Sequence, residues 1–486
     1  MNYKPQKQIT ALCAALLAVA TAFSSIPLGA IEPSGNVNQT IPSVSSPEDG
    51  TQGSVSPFPD VIAEDWFFDD VIRLAELKIL NGYPDGQFHP EREITNAEFV
   101  KILMVAVGAD TETELDLKLF PDHWASLYIS LAYREGILTD DDIIAGFDPS
   151  APITRSAMTK MMILALGIEP VRIDDPFTDI SDMYASTAYN EYLLRGYLMP
   201  DGTRIYNGGG NALRSEASAI IVRVLNYRED AYAYKKDAIL SNASESKLNT
   251  ESELIDLFYV LNREFMDKFT FMTDIPFDTW KDYYRHSNVI YLEYFYTTSL
   301  SCSYNPNDPV EYNVTLQYSE DVDELRALHD AASQKADKFV QSVITENMSD
   351  TDKVKAIHDY IILNCAYDYN NYISGKVGFE ARLAAGALCN RSAVCQGYAA
   401  AFNMLCRRVG VRSVVVTGTA PASTADHAWN MVLIDGQIYY VDVTHDDPVP
   451  DVTGRISYRY YMLSEAEMTE LGYVWDKSQS NLKYFY

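Results

Sequence analysis

The residues of this chain that could perform chemistry lie in its C-terminal third. Cys395 opens an apolar-periodic stretch that Gly410 closes, so the pattern predicts a helix with this thiol in its first turn. A helix N-terminus stabilises negative charge and therefore lowers the pKa of a thiol, which favours the reactive thiolate. A cysteine nucleophile also needs a base, and a group that orients that base.

The base and its orienting group are predicted on a β-hairpin further along the chain. Residues 426–434 and 437–444 are predicted strands, and the two residues between them are Asp-Gly, which is typical of tight hairpin turns. That turn sets the register and makes His427 and Asp442 diagonal neighbours on one face, with Cα atoms ~7–8 Å apart. The spacing therefore predicts a hydrogen bond between an imidazole and a carboxylate.

Three motifs around these residues agree in residue type, order and spacing with one superfamily. They are Val-Cys-Gln-Gly-Tyr-Ala around Cys395, His-Ala-Trp-Asn from His427, and Val-Asp ending at Asp442, and together they resemble the transglutaminase-like superfamily of papain-type folds. The resemblance is strongest over residues 350–462. It implies an α+β domain with Cys395 as nucleophile, His427 as base and then acid, and Asp442 as the orienting group. It also implies attack on an amide, a thioacyl enzyme, and transfer to an amine or to water.

One position departs from that family. His445 stands where the family commonly carries Trp, and strand alternation predicts that it points away from Asp442, so we interpret it as structural. The alternative is a second polar contact, which would change the substrate preference. The residues leave open which acyl donor is used and whether water or an amine resolves the thioester. A second hypothesis is a noncatalytic surface-layer or cell-wall binding protein with a degenerate transglutaminase-like domain.

A threefold repeat precedes this domain. Residues 58–108, 120–168 and 177–227 each begin with Phe-Pro-Asp or Phe-Thr-Asp and pass through a Gly/Pro/Asp turn to a motif similar to Thr-Arg-Ala-Glu. Each segment is predicted as helix, loop and helix, with Thr95 and Thr154 as N-caps and the opening Asp capping the first helix. One such helix pair cannot bury its apolar face alone, so we expect the three segments to pack together.

These motifs resemble surface-layer homology repeats, the modules that attach exported proteins to the walls of many Gram-positive bacteria. The resemblance implies an all-α spindle of three repeats over residues 58–227. Its grooves would bind a secondary cell-wall polysaccharide, often one that carries pyruvate ketals, with the motif arginine holding the polymer. That role maps onto Arg155 and Arg214. Asn96 occupies the arginine position of the first repeat and Ala157 the acid position of the second, so whether the first groove functions is left open.

The rest of the chain divides by composition. Residues 1–30 have a basic start, an apolar run and a small-residue end, which is the layout of a secretory signal peptide. The predicted segments outside the repeats are this signal peptide (1–30), two linkers (31–57 and 228–248), an α/β scaffold region (249–349) and the catalytic domain (350–486). Within the scaffold, residues 288–302 and 310–318 are predicted to be β-rich and residues 322–348 to form a long helix.

Composition and charge restrict the class of partner. The 486 residues are 47% hydrophobic and 22% charged, as in globular proteins. A formal net charge of −30 opposes nonspecific binding to nucleic acid or to an anionic membrane. Residues 58–227 contain 28 acidic and 13 basic residues, so bulk attraction cannot bind an anionic wall polymer there.

These observations together predict a protein exported to the cell wall of a Gram-positive-type bacterium, without membrane insertion after signal cleavage. We expect a peptide or protein substrate at the cell surface. No metal-ligand spacing or cofactor motif is visible in the sequence, so neither a metal nor a cofactor is predicted. Besides Cys13 and Cys395, the sequence contains four cysteines, which allow three disulfide pairings or none: Cys302, Cys365, Cys389 and Cys406.

Overall fold

The computed structural model describes residues 56–171, 176–200, 202–305, 308–345, 347–421, 426–452, 454–480 and 485. The chain divides into two compact units between Ala238 and Ile239, and each unit is described by itself. The predicted signal peptide and residues 31–55 of the predicted first linker lie outside the described residues. Within the described ranges, no helix combines the length and apolarity needed to cross a bilayer.

The N-terminal unit is built from short helices and one two-stranded hairpin. The helices are α1 (Phe68–Glu76), α2 (Asn96–Ala106), α3 (Ser126–Arg134), α4 (Asp140–Ile144), α5 (Arg155–Ala165), α6 (Met183–Asn190) and α7 (Arg214–Glu229), and α8 (Ala231–Glu245) begins in this unit and ends beyond its boundary at Ala238. The hairpin pairs β1 (Tyr197–Leu198) with β2 (Arg204–Ile205). This hairpin is the departure from the all-α unit that the sequence predicts. Apolar side chains of α1, α2, α3, α5 and α7 share one buried core.

The three repeat segments contact one another in a closed cycle. Just before or at the start of α2, α5 and α7, an extended residue forms a backbone bridge to a neighbouring segment. The bridges join Thr95 to Pro152, Thr154 to Asn211, and Leu213 to Glu93. Because the third segment returns to the first, every segment packs between two others, which is how three small helix pairs can share one core.

The N-caps of the second helices are those predicted. The hydroxyl of Thr95 accepts a hydrogen bond from the backbone N–H of Glu98 at the start of α2, and Thr154 does the same with Ala157 at the start of α5. Glu98 also accepts from the backbone N–H of Thr95, which completes a capping box. These hydrogen bonds satisfy N–H groups that a helix start leaves without an intrahelical acceptor.

The opening aspartates of the repeats have a different role from the one predicted. Residues other than these aspartates precede α1, α3 and α6 as N-caps. Asp60 instead accepts hydrogen bonds from the backbone N–H groups of Phe88 and His89, at 2.8 and 2.7 Å. Asp179 makes the equivalent pair of contacts in the third segment. The carboxylate therefore fastens the loop between the two helices, about 28 residues further along the same repeat.

The predicted second linker, residues 228–248, is mostly helical. It contains α8, which follows α7 almost directly. Tyr234 is buried, its ring centroid lies 5.9 Å from that of Tyr227, and its hydroxyl donates to the backbone oxygen of Tyr192 at 3.0 Å. The segment has neither Gly nor Pro, so nothing in its composition ends a helix. Its many polar residues are the feature that favours a linker in the sequence.

The C-terminal unit is α+β, as the sequence predicts. Its helices are α9 (Glu251–Arg263), α10 (Phe277–Ile290), α11 (Val322–Val343), α12 (Asp350–Asn364), α13 (Tyr369–Ser374), α14 (Cys395–Arg408), α15 (Val443–Asp446) and α16 (Glu465–Glu470). Its strands are β3 (Lys268–Met272), β4 (Thr297–Asn305), β5 (Asp308–Tyr318), β6 (Ala366–Tyr367), β7 (Ser392–Ala393), β8 (Arg412–Thr419), β9 (Asp426–Ile434), β10 (Gln437–Val441) and β11 (Val474–Trp475).

Two antiparallel sheets organise this unit. One has the strand order β3-β5-β4, and the other has the order β10-β9-β8-β11. Helix α14 packs against β8 and β9 of the second sheet and also against α11 and α12. Strands β6 and β7 pair in parallel immediately before α14. The second sheet and α14 therefore carry the elements that the sequence analysis assigned to catalysis.

The scaffold prediction is partly correct. Residues 310–318 lie in β5, and the long helix is present as α11. The predicted β-rich stretch 288–302 is wrong at its start, because residues 288–290 end α10 and strand β4 begins only at Thr297. Trp280, Tyr284 and Ile290 lie on the buried face of α10, and their helical spacing continues into the first residues of the predicted β-rich stretch 288–302.

Candidate active site

Cys395 is the first residue of α14, as the apolar periodicity predicts. Gly410, with φ of 76°, follows the end of this helix. The Cys395 side chain is almost completely enclosed, with 9% of the residue exposed. It lies where the backbone N–H groups of the first helical turn have no intrahelical acceptor, so the helix terminus itself favours a thiolate.

Gly397 explains why the start of α14 can pack so closely. A Cβ at this position would lie 2.5 Å from the backbone oxygen of Ala381 and 3.0 Å from that of Leu383. Any side chain would therefore push the turn at residues 380–383 away from the helix. The glycine two positions after Cys395 is a packing requirement of the site.

His427 reaches the thiol from the centre of the second sheet. Strands β9 and β10 pair in the predicted register, with Ile434 opposite Gln437. The His427 imidazole forms a hydrogen bond with the Cys395 thiol, and the backbone N–H of Ala428 also donates to that sulfur. The other side of the ring faces a carboxylate, because Nε2 of His427 lies 2.7 Å from Oδ2 of Asp442.

The interactions among these three groups outweigh the cost of burying their charges. Burial alone would lower the pKa of His427, but the Asp442 carboxylate and the Cys395 thiol raise it to about 10. Burial would raise the pKa of Cys395, but the hydrogen bond and positive charge of His427 hold it below its usual value. Burial opposes ionisation of Asp442 too, yet the neighbouring imidazoles hold its pKa well below the usual range. The arrangement favours a thiolate–imidazolium pair.

The orienting carboxylate lies at the end of a strand rather than within one. The strand predicted over residues 437–444 ends at Val441, and Asp442 caps the helical turn α15. Its Oδ1 accepts a hydrogen bond from the backbone N–H of His445 at 3.1 Å. A capped turn holds the carboxylate more rigidly than a free strand end would, because both of its oxygens have fixed donors.

The interpretation of His445 as turned away from Asp442 is wrong. Its Nδ1 lies 2.8 Å from Oδ2 of Asp442. The error follows from the secondary structure, since alternation applies to a strand, whereas a helical turn returns residue i+3 to the side of residue i. His445 is therefore a second imidazole on the carboxylate that holds His427.

Sequence reasoning missed Tyr473, which completes this cluster. Its hydroxyl donates to Oδ2 of Asp442 at 2.6 Å and lies 2.6 Å from Nδ1 of His445. Tyr473 directly precedes β11, a strand of two residues that pairs with β8. So short a strand has no detectable period in the sequence, and only the folded sheet brings Tyr473 to a carboxylate 31 positions earlier.

Within the described residues, His427, Asp442 and His445 are a group whose potential metal-ligand atoms lie within 4.8 Å of one another. The two contacts to Asp442 are 2.7 and 2.8 Å long, which are hydrogen-bond distances. These bonds engage the lone pairs that a metal ion would use. The geometry is that of a hydrogen-bonded network.

The other described cysteines differ from Cys395 in their electrostatics. Cys302, Cys365, Cys389 and Cys406 are free thiols in the structure. Burial raises the pKa of each of them, to about 11 for Cys302 and about 12 for Cys365. Among the described cysteines, Cys395 is thus the one whose pKa is lowered, so its thiol should react first at neutral pH.

Arg214, predicted to bind polysaccharide, is buried in the N-terminal unit and has protein partners. Its guanidinium donates to the backbone oxygens of Phe88 and Asn81, at 2.9 and 3.2 Å, and to the hydroxyl of Tyr83 at 3.1 Å. It also lies 4.0 Å from Glu98. These partners all belong to the first repeat, so Arg214 joins the third segment to the first.

Arg155 occupies the equivalent place between the second and third segments. It forms an ion pair with Glu216 at 2.6 Å, and the hydroxyl of Tyr197 donates to the same Glu216 oxygen at 3.2 Å. The ring of Tyr197 is exposed, unlike that of its counterpart beneath Arg214, so this cluster opens on the surface. Arg155 and Arg214 are therefore centres of two similar Arg–Glu–Tyr clusters.

The third junction lacks such a cluster. Asn96 takes the arginine position, and its side-chain amide donates to the backbone oxygens of Asp148 and Ala151 at 2.9 and 3.3 Å. Ala157 stands in the acid position of the next repeat. Asn96 and Ala157, the two departures from the repeat motif, therefore both lie at the junction of the first and second segments.

Comparisons with known families match both parts of the chain. The model of the S-layer homology domain matches residues 57–100. The model described as the transglutaminase-like superfamily matches residues 337–443, a range that includes Cys395, His427 and Asp442.

Individual relatives are similar to separate parts of the chain. The surface-layer 125 kDa protein of Lysinibacillus sphaericus is 32% identical over 111 residues, which is 21% of this chain and 9% of that protein. Human kyphoscoliosis peptidase is 27% identical over 159 residues, which is 30% of this chain and 24% of the peptidase. The chain thus spans a quarter or less of the length of these curated relatives.

Among solved structures, a crystal structure of a TGase aligns with a TM-score of 0.23 and 19% identity, over 42% of this chain and 56% of that chain. The family matches and the cell-surface relatives agree with the two resemblances carried by the motifs. The chain contains an S-layer homology domain in its N-terminal unit and a domain of the transglutaminase-like superfamily in its C-terminal unit.

Proposed function

We propose that this protein is an exported, wall-anchored cysteine enzyme that acts on amide bonds of peptides or proteins at the bacterial surface. One observation carries the proposal. A thiol at a helix N-terminus is hydrogen-bonded to an imidazole, and Nε2 of that imidazole lies 2.7 Å from a fully buried carboxylate. These are the nucleophile, base and orienting group that acyl transfer through a thioester requires.

The proposed reaction begins with the Cys395 thiolate attacking the amide carbonyl carbon. The negative charge that forms on oxygen faces the free N–H groups of the first turn of α14, which stabilise it. The C–N bond then breaks, and the His427 imidazolium gives its proton to the departing amine, which leaves a thioester on Cys395. Neutral His427 next takes a proton from water or from an acceptor amine, which attacks the thioester and releases the thiolate.

The first test measures which acyl product the purified protein forms. We expect the protein to convert a glutamine-containing peptide, offered with a primary amine, to an amine adduct or to the hydrolysed acid, with release of ammonia. A simple peptide-bond substrate is tested beside it. Mass spectrometry of the products distinguishes transfer from hydrolysis. If neither substrate changes at neutral pH while Cys395 is reduced and free, the proposed amide chemistry is contradicted.

The proposed partner of the N-terminal unit is a secondary cell-wall polysaccharide. The support is the S-layer homology match and the similarity to a surface-layer protein. The excess of acidic residues in this unit means that binding of an anionic polymer depends on a few placed groups. We propose that Arg155 contacts the polymer beside the exposed ring of Tyr197, and that Arg214 shapes a groove from within.

Replacement of Arg155 by alanine should therefore weaken wall binding. The change removes one charged hydrogen-bonding group, and we expect an affinity lower by about tenfold. The measurement is co-sedimentation of the protein with purified cell walls over a range of protein concentrations. Arg134→Ala is a matched control, since Arg134 forms a surface ion pair with Glu135 in the same unit. Equal loss of binding in both variants would contradict the assignment to Arg155.

A further inference from the structure

The Asp442 carboxylate accepts more hydrogen bonds than orientation of one imidazole requires. Its Oδ2 lies 2.7 Å from Nε2 of His427, 2.8 Å from Nδ1 of His445 and 2.6 Å from the hydroxyl of Tyr473. Its Oδ1 accepts the backbone N–H of His445. Asp442 itself is completely buried. Two histidines therefore share one buried carboxylate oxygen.

The contacts indicate which nitrogen of His445 carries a proton. If Nδ1 carried a lone pair, it would face the lone pairs of Oδ2 at 2.8 Å, which is repulsive. With a proton on Nδ1, His445 donates to Asp442 and to the oxygen of Tyr473, while the Tyr473 hydroxyl donates to Asp442. The Asp442 carboxylate, the Tyr473 hydroxyl and Nδ1 of His445 then each have a partner of the right kind. His445 is thus a donor to Asp442.

His445 also contacts His427 directly. The two rings are stacked, with centroids 4.4 Å apart and an interplanar angle of 22°. The groups that face His445 are His427 on β9, Asp442 at its own cap, and the phenol rings of Tyr460 and Tyr473. His445 therefore contacts both the imidazole and the carboxylate of the candidate pair.

We propose that His445 is a positioning residue of this site: as a donor it fixes Asp442 behind His427 and so keeps Cys395 reactive. This inference rests on the proposed function of Cys395 as a nucleophile.

Two variants test this role. In His445→Asn, the amide nitrogen occupies about the place of Nδ1 and can donate to Asp442. In His445→Phe, the ring can still stack on His427, but the donor is lost. The measurement is the rate of alkylation of Cys395 by iodoacetamide at neutral pH in the full chain, read by peptide mass spectrometry. This readout needs no knowledge of the substrate.

We expect His445→Asn to react within about twofold of the wild-type rate at neutral pH, because the donor is kept. His445→Phe should react about tenfold more slowly at neutral pH. Far-ultraviolet circular dichroism and thermal unfolding check that both variants fold.

Either of two results would overturn the inference: a wild-type rate for folded His445→Phe, or a rate for folded His445→Asn as low as that of His445→Phe. In both cases a fast wild-type Cys395 leaves the proposed function intact. If wild-type Cys395 instead reacts no faster than Cys389 at neutral pH, both the inference and the proposed function fail.

Discussion

Replacement of Cys395 by alanine is expected to abolish acyl-product formation, with a fall in rate on the order of 10⁵-fold or more. The reason is that no other described thiol is both activated and next to His427. His427 lowers the pKa of Cys395, whereas burial raises the pKa of the other four described cysteines. The measurement is product formation from the glutamine peptide and amine, together with labelling by a thiol-directed amide probe.

The matched control for this experiment is Cys389→Ala. Cys389 is more exposed than Cys395 and its pKa is raised, so this variant removes an accessible thiol that is not activated. We expect this variant to keep the wild-type rate and to lose little labelling at neutral pH. Labelling at pH 6 should fall almost entirely on Cys395 in the wild type, because its pKa is lowered. Equal product formation by Cys395→Ala and the wild type would favour the noncatalytic hypothesis instead.

The part of the candidate site that could be predicted from sequence depends on short-range rules. The Asp-Gly turn determines how β9 faces β10, and that register brings His427 to Asp442 without knowledge of the remaining fold. Helix periodicity in the same way places Cys395 at the start of α14. Because both rules act over fewer than about twenty residues, neither needs tertiary information.

The part that could not be predicted depends on where a strand ends and on distant chain segments. The change from strand to helical turn after Val441 reverses the direction of His445, and the sequence has no Pro or Gly there to mark it. Tyr473 joins the cluster through the pairing of β11 with β8. A contact of this kind depends on the packing of the whole sheet, and the local sequence pattern around Tyr473 does not predict it.

In the N-terminal unit, too, the local features are predicted from the sequence and the long-range contacts are not. The Thr95 and Thr154 caps are local, and they are where the motif predicts them. The role of Asp60 is not local, since it holds a loop 28 residues away, and a short polar side chain before a helix suggests an N-cap just as well. The burial of Arg214 likewise appears only when the third repeat closes onto the first, because the partners of its guanidinium come from a segment about 130 residues earlier.

Replacement of Arg214 by alanine is expected to destabilise the N-terminal unit on the order of 3 kcal/mol. The change leaves the backbone oxygens of Phe88 and Asn81 without their donor and removes the cation beside Glu98. It also loosens the junction that closes the three segments into a cycle. Hydrogen exchange of the peptides that contain α2 and α7 measures the loss within this unit, independently of the catalytic unit.

Arg155→Ala and Arg214→Lys are the comparison variants for this stability prediction. The ion pair of Arg155 is partly exposed, so we expect its loss to cost about 1 kcal/mol while weakening wall binding more strongly than its stability change explains. Lysine at position 214 keeps the charge but cannot donate to three acceptors as a planar fork does, so Arg214→Lys should be almost as unstable as Arg214→Ala.

If folded Arg214→Ala exchanges like the wild type yet no longer binds walls, then Arg214 contacts the polymer directly and its intramolecular bonds contribute little stability. If it exchanges faster throughout α2 and α7, its effect on binding passes through the shape of the junction, and Arg155 is left as the direct contact.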